Sequence, residues 1–586
     1  MKKLLCFWLV LLLCIAIFPT TALTADQDYI KKEAILSSLY EANISAMREA
    51  IDLGLISCEE LTAYYLDRIS TYNKSYNCFI TICDDALSVA RARDEALADG
   101  KATGILFGIP IVIKDNIDLK GYHTTNGHKK NDDQIAKENA RIVDYLLAEG
   151  AVIIAKANMS TDAQSARDSQ SEVAGRTHNA YNKYLSASGS SGGSAVATSL
   201  NFTAAALGTD TNSSLRMPAA YAGCYSLRCT FGHISGNGVT TLNSSRDIPG
   251  AITRTLIDQT IMLDALTQNQ YEYTKNLKSD ALQGMRIGVI KELSYATTKS
   301  SDRKESNIDP EVSAAFANAL EELKACGAQI VEVSMPKIFT LYNETTKTNN
   351  SAPKEELYKA FTNMLAEYNV SAVVFPSYLS TPLHAGTDEN GKYWSVWDQT
   401  WINNCSILSP SASLPEMTVP IGIHSLGCGI GLEIAAPKDQ EQLLLDIAYS
   451  YSLQYDHRTT PSGAPDTYAS YSIGTLDKII EDYKIYLSAQ TTTPAETTTV
   501  PVTTTQSPIV TTPPTLESTT VPITTTTILT QESISTFQEA TTVPQTTQVQ
   551  SSPNESKFVG KWIYVILLAI TFMIILSLIF VRKTSD

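Results

Sequence analysis

Between about residue 26 and residue 485 the chain mixes two hydrophobic patterns. Short apolar runs rich in β-branched residues, Ile109–Ile113, Val152–Ile154, Ile287–Ile290, Ile330–Val333 and Ala372–Phe375, predict buried strands. Glu49–Leu55, Cys58–Tyr72, Ala86–Ala98 (with Gly100 as a stop) and Val312–Cys326 carry apolar residues at helical spacing. Strands separated by helical windows predict an α/β sandwich with a largely buried sheet. No internal repeat or cut point interrupts this stretch, so 26–485 reads as one large domain.

The pattern changes at both ends. Residues 1–25 open with Lys2 and Lys3, run apolar from Leu4 to Phe18 and finish on small residues, the layout of a cleavable signal peptide ending at Ala22 or Ala25. The run is shorter than the roughly 20 residues of a bilayer span, which argues against an N-terminal anchor. Residues 486–558 are Thr, Ser and Pro without hydrophobic period. Such a segment cannot bury enough apolar surface to offset its ordering entropy, and it reads as a disordered, O-glycosylated stalk. Residues 559–581 predict one transmembrane helix with Trp562 and Tyr564 at its aromatic belt. Arg582 and Lys583 follow, which leaves 582–586 as a cytoplasmic tail and ranks a glycolipid anchor second. The expectation is a single-pass type I cell-surface protein, joined to the membrane through its C-terminal helix.

Composition alters this picture in two ways. Lys+Arg 45 against Asp+Glu 61 gives a net charge of −16, which argues against nucleic acid as partner because phosphate binding uses clustered cations. Of 10 Cys, Cys6 and Cys14 fall in the signal, and an even set remains: Cys58, Cys78, Cys83, Cys224, Cys229, Cys326, Cys405 and Cys428. Outside the cell that count predicts some disulfides, with pairing unreadable. Cys78-x4-Cys83 and Cys224-x4-Cys229 lack the His partners of a zinc site. Sequons at Asn43, Asn73, Asn201, Asn243, Asn343, Asn369 and Asn404 suit a glycoprotein.

No HExxH, phosphate-loop or dinucleotide-binding motif is present, and the seven His residues form no metal-ligand spacing. Three segments carry candidate chemistry. In Gly108-Ile-Pro-Ile-Val-Ile-Lys114-Asp-Asn116, Lys114 ends an unbroken apolar run. Burial there disfavours the ammonium form, and a neutral Lys can take a proton from a hydroxyl. Ser186-Ala-Ser-Gly-Ser190-Ser191-Gly-Gly-Ser194 sits mid-domain and leads into a helix-like stretch, Ala195–Leu200, so it is more than a linker. Gly208-Thr-Asp-Thr-Asn-Ser-Ser214-Leu-Arg216-Met-Pro218 follows the apolar run Phe202–Leu207 and offers successive backbone N–H groups to an oxyanion, with Ser214 beside them. Gly189-Ser-Ser191-Gly-Gly193 also fits the nucleophile-elbow pattern. That reading needs a strand before it and an acid with His424 or His457 after it, and the preceding residues are polar and loop-like.

Together the three segments resemble the amidase signature family of Ser-Ser-Lys serine hydrolases. Lys114 sits in the family's G-[IV]-P-x-x-x-K-D pattern, Ser190 matches the first Ser of GGSSGGS, and Ser214 the Ser of GTDTGGS-I-R-x-P-A. Ser190 and Ser214 lie 24 residues apart, the family's usual interval. Lys156–Met159, Asp247–Arg254 with Asp258, Phe375-Pro-Ser, and Pro415–Ile421 with Gly431–Glu433 extend the likeness over about 40–455. The resemblance implies an α/β/α sandwich around a large mixed, mostly parallel sheet. It implies Ser214 as nucleophile, Ser190 in a cis peptide bond as proton relay, and Lys114 as base and then acid. The backbone amides of Thr211, Asn212, Ser213 and Ser214 become the oxyanion hole, Ser191, Asp210 and Arg216 supporting residues, and no metal or organic cofactor is required.

Two departures stand out. Ser188 replaces the first glycine of the Gly/Ser loop, and Asn212-Ser213 replaces the Gly-Gly before the nucleophile. Ser adopts left-handed geometry less readily than Asn or Gly. Asn212-Ser213-Ser214 is also a sequon, expected to be buried before a glycan could be added. The expected function is an extracellular, membrane-anchored serine amidase acting on a small amide: a peptide amide, a fatty acid amide or an arylamide. The alternative is an inactive surface glycoprotein that keeps the fold for binding or adhesion.

Overall fold

The computed structural model describes residues 30–295, 307–347, 351–387 and 393–492. Residues 1–25, most of the stalk, 559–581 and 582–586 lie outside the described residues. The last helix, Leu476–Thr492, runs across the boundary expected at 485.

An 11-stranded sheet forms the centre. Its strands, in chain order, are β1 (Phe79–Ile82), β2 (Pro110–Lys114), β3 (Val152–Ala157), β4 (Ala205–Asp210), β5 (Tyr225–Arg228), β6 (Ile248–Thr253), β7 (Arg286–Ile290), β8 (Gln329–Val333), β9 (Ala372–Pro376), β10 (Glu416–His424) and β11 (Cys428–Ala435). The order across the sheet is β1-β3-β2-β4-β6-β5-β10-β11-β9-β7-β8. Parallel pairs are confined to β3-β2-β4 and to β9-β7-β8. Everything between and outside them is antiparallel, so the sheet is mixed but not mostly parallel as expected. The reason is visible at β10–β11: Ser425-Leu426-Gly427, with Gly427 at φ 82°, is too short for any crossover and closes a hairpin.

All residues of β2, β3, β4, β6, β9 and β11 are buried, so both faces of the sheet are covered. The covering helices include α1 (Cys58–Tyr72), α2 (Ala86–Ala98), α3 (Gly192–Ser199), α4 (Arg216–Tyr221), α5 (Leu256–Leu266), α6 (Pro310–Ala325), α7 (Ile338–Lys347), α8 (Ser351–Tyr368) and α9 (Glu441–Ser452). Sequence spacing fixes α1 and α2 to the residue. Ser57 and Glu60 close a capping box at the start of α1, and Asp309 caps α6 by accepting from Glu311 N and Val312 N. A second core, built on Ile290, Val333, Phe361, Val373 and Phe375, lies under α7 and α8.

The disulfide expectation is corrected. Cys58, Cys78, Cys83, Cys224, Cys229, Cys326, Cys405 and Cys428 are all buried free thiols. Cys78 and Cys83 flank β1, and Cys224 and Cys229 flank β5. Five residues of extended chain separate Cα atoms by roughly 16 Å, far beyond disulfide reach. Two of the sequons fare no better: Asn201 and Asn404 are fully buried, their amides donating to Glu41 and to the carbonyls of Leu293 and Pro376.

Candidate active site

β2 delivers Lys114 to the interior as its final residue. The ammonium is completely buried, donating to Ser190 Oγ at 2.6 Å and Thr209 Oγ1 at 2.8 Å, and Asn116 Nδ2 holds the same Thr209 hydroxyl at 3.2 Å. Among the described residues no carboxylate lies within ion-pair distance of it. Burial therefore dominates and lowers its pKa from 10.5 to about 7, against weaker upward pulls from Asp247 and Asp210. That shift corresponds to a penalty of about 5 kcal/mol on the charged amine relative to its state in water.

Ser190 is presented by the loop that opens α3. Its peptide bond with Gly189 is cis, and Ser188 takes φ 57°, so a non-glycine residue fills the left-handed position. The glycines are required by contact: a Cβ at Gly189 would lie 2.2 Å from Asp168 O, and one at Gly193 2.3 Å from Asn158 O. Ser191 locks the loop to β4, its Oγ bonding both Thr209 N and Thr209 O at 3.2 Å. Ser191 N donates to Ser214 O at 3.1 Å, which joins the loop to the third segment.

That third segment turns from β4 into α4. Asp210 organises the turn, accepting from Leu215 N at 3.3 Å, Arg216 Nε at 3.1 Å and Arg228 Nη1 at 3.1 Å. Burial alone raises the Asp210 carboxyl, but Arg216 and Arg228 outweigh it and hold it below its usual range. Arg216 continues to Asn212 O at 2.8 Å, to Glu416 and, at 3.7 Å, to Glu433. Burial pushes Glu416 well up. The amides of Thr211, Asn212, Ser213 and Ser214 donate to no protein acceptor among the described residues, leaving four adjacent donors beside the Ser214 side chain.

Neither Asn212 nor Ser213 is left-handed, so the replacement of Gly-Gly carries no backbone penalty. Each side chain has its own partner: Asn212 Oδ1 accepts from Arg246 Nη1 at 2.9 Å, and Ser213 Oγ from Asn403 Nδ2 at 2.8 Å.

The structure thus brings Lys114 and Ser190 into direct contact and ties Ser190's loop to Ser214 through the main chain. No hydrogen bond joins the Ser190 and Ser214 hydroxyls among the described residues. The nucleophile-elbow alternative finds no support: no strand leads directly into Gly189, and Ser191 Oγ is taken up by the Thr209 main chain with no His partner among the described residues. Sequence reasoning quoted the motifs that contain Asn116, Thr209, Glu416 and Glu433 without giving these residues a role, and it missed Arg228, Arg246 and Asn403. For Glu416 and Glu433 a signal existed, a carboxylate inside an apolar run. For Asn403 there was none.

Beside the turn lies a cleft of about 420 Å³ walled by Asn212, Ser213, Asn403 and the aromatic residues Phe339, Tyr342 and Trp401. A larger concavity of about 1250 Å³ elsewhere, lined by Asp118, Lys137, Asp144 and neighbours, shares no residue with the site.

The family model described as Amidase matches residues 60–346. A glutamyl-tRNA(Gln) amidotransferase subunit from Thermosynechococcus vestitus is 29% identical over 475 residues, covering 69% of this chain and 95% of that protein. Its counterpart from Lawsonia intracellularis is 36% identical over 292 residues, covering 48% of this chain and 58% of the relative. Peptide amidase from Stenotrophomonas maltophilia shares the fold with a TM-score of 0.62 and 24% identity, over 72% of this chain and 99% of its own.

The expected cell-surface localisation is corrected. Among the described residues no helix is long and apolar enough to cross a membrane. The relative matched over most of its length is a tRNA amidotransferase component. With matching motifs and a matching family model over residues 60–346, the chain carries an amidase-signature domain, that of enzymes acting on C–N bonds.

Proposed function

We propose that the protein is a serine amidase that hydrolyses a small amide through an acyl-enzyme on Ser214. The observation that carries this reading is Lys114: a buried amine with a pKa of about 7, 2.6 Å from Ser190 Oγ and without a carboxylate partner among the described residues. An amine in that state is a base near neutral pH.

In the first half-reaction Ser214 Oγ attacks the amide carbonyl. Its proton passes to Ser190 Oγ while Ser190 passes its own to Lys114 Nζ. Negative charge on the carbonyl oxygen is met by the amides of the 211–214 turn, each well-placed donor contributing about 2.7–4 kcal/mol. The C–N bond breaks as Lys114 returns the proton, through Ser190, to the leaving nitrogen. Water then attacks the acyl ester with Lys114 again as base, freeing the acid and Ser214. The Ser190–Ser214 contact closes when substrate is bound, since such hydrogen bonds are commonly long without it.

Peptide amides, fatty acid amides and arylamides are the candidate classes. Phe339, Tyr342 and Trp401 offer an apolar wall to any of them. Incubation with a fluorophosphonate tests the reading: wild type is labelled at Ser214, Ser214→Ala is not, and a folded wild type that resists labelling overturns it. A second reading takes glutamine as the amide, because the curated relatives belong to glutamyl-tRNA(Gln) amidotransferases. Turnover of glutamine by the purified chain decides that case.

A further inference from the structure

Behind the cleft wall, two buried cations stand without a counter-ion. Arg246 and Lys354 are exposed by only 6% and 9%, and neither has a carboxylate within ion-pair distance among the described residues. They are linked to the cleft in series. Lys354 Nζ donates to Ser245 O at 2.6 Å and Ser245 Oγ at 3.1 Å, Arg246 is the next residue, and Arg246 Nη1 holds Asn212 Oδ1, on the cleft surface, at 2.9 Å.

The neighbouring charges do not cancel them. Arg228, a third cation, is taken up by Asp210. Asp247, next in the chain to Arg246, keeps its negative charge while accepting the amides of Leu242 and Asn243 at 2.5 and 2.8 Å, and it forms no ion pair with Arg246 or Lys354 among the described residues. Arg246 Nη2 donates to Thr345 O at 2.8 Å in the last turn of α7, so the carbonyl end of that helix offsets part of one charge. Burial and the two arginines, Arg246 and Arg228, push Lys354 down to about 8, the direction expected where positive potential accumulates. The cleft lining itself contributes no carboxylate.

We propose that Arg246 and Lys354, acting through Asn212, make the cleft select against amides that carry an ammonium group and favour neutral ones with a compact aromatic or branched apolar group. Such a cation would enter a site with two unpaired cations behind it and no carboxylate among its described lining residues. This rests on Ser214 being the nucleophile.

The test uses two amides of the same shape, tert-butylacetamide and the permanently cationic trimethylammonioacetamide, as protectants of the full-length protein against fluorophosphonate labelling at Ser214. The neutral compound protects at a concentration at least about tenfold lower than the cation. Lys354→Met and, separately, Arg246→Gln narrow that ratio severalfold. Equal protection by the two compounds in wild type, tighter protection by the cation, or no protection by either overturns the inference. Absence of labelling in wild type overturns instead the assignment of Ser214. The wild-type comparison stands even if a variant fails to fold.

Discussion

Thr209 Oγ1 receives a hydrogen bond from the Lys114 ammonium at 2.8 Å, beside the 2.6 Å contact of the same amine with Ser190. A neutral hydroxyl fixes the amine without raising its pKa as a carboxylate would. Thr209→Val removes that anchor at nearly constant volume. The expected result is a fall in kcat of about a hundredfold, the scale of a misplaced catalytic group, with KM little changed and activity rescued by Thr209→Ser. Steady-state kinetics of the three proteins on one amide check this.

Ser214→Ala removes the oxygen proposed as nucleophile, while the Ser214 carbonyl still accepts from Ser191 N. Amide hydrolysis falls at least about a thousandfold, and the circular dichroism spectrum is unchanged. A variant that keeps a tenth of wild-type activity places the nucleophile elsewhere.

Arg216 is the hub of a buried cluster with Asp210, Glu416 and Glu433. Arg216→Met leaves Glu416 and Glu433 without their cation, while Asp210 keeps Arg228, and costs about 3–5 kcal/mol, read as a shift in the urea midpoint.

Gly193→Ala places a methyl group 2.3 Å from Asn158 O and 2.6 Å from Cys78 O, both backbone atoms. It destabilises by about 1–3 kcal/mol or prevents folding. Gly236→Ala, with nothing within 4 Å of the added carbon, is the neutral control.

Lys114 is legible in the sequence because an ammonium at the end of an apolar strand is conspicuous, and Ser190 and Ser214 because their loops keep a motif. β2, β3, β7, β8 and β9 show as apolar runs. β6 and β10 do not, because Pro249, Gly250, Thr418, Pro420 and Gly422 interrupt them, and β10 absorbs Pro420 at a register shift. Their buried polar groups are satisfied by partners distant in sequence, as Thr418 is by Glu433. Arg246 and Asn403 are hidden for the same reason: their partners Asn212 and Ser213 lie 34 and 190 positions away. The antiparallel centre of the sheet and the unpaired cysteines likewise depend on tertiary placement that no local pattern encodes.

Catalysis as described depends on Lys114 working as a neutral base, and the pH dependence of fluorophosphonate labelling at Ser214 tests this most directly. Burial lowers the folded-state pKa to about 7, so the amine is protonated and idle below that pH and free above it. The labelling rate should rise with a single proton dissociation centred near pH 7 and level off before pH 9. A rate that is flat from pH 5 to 9, or that climbs only toward the ordinary lysine range near about 10.4, would contradict that role.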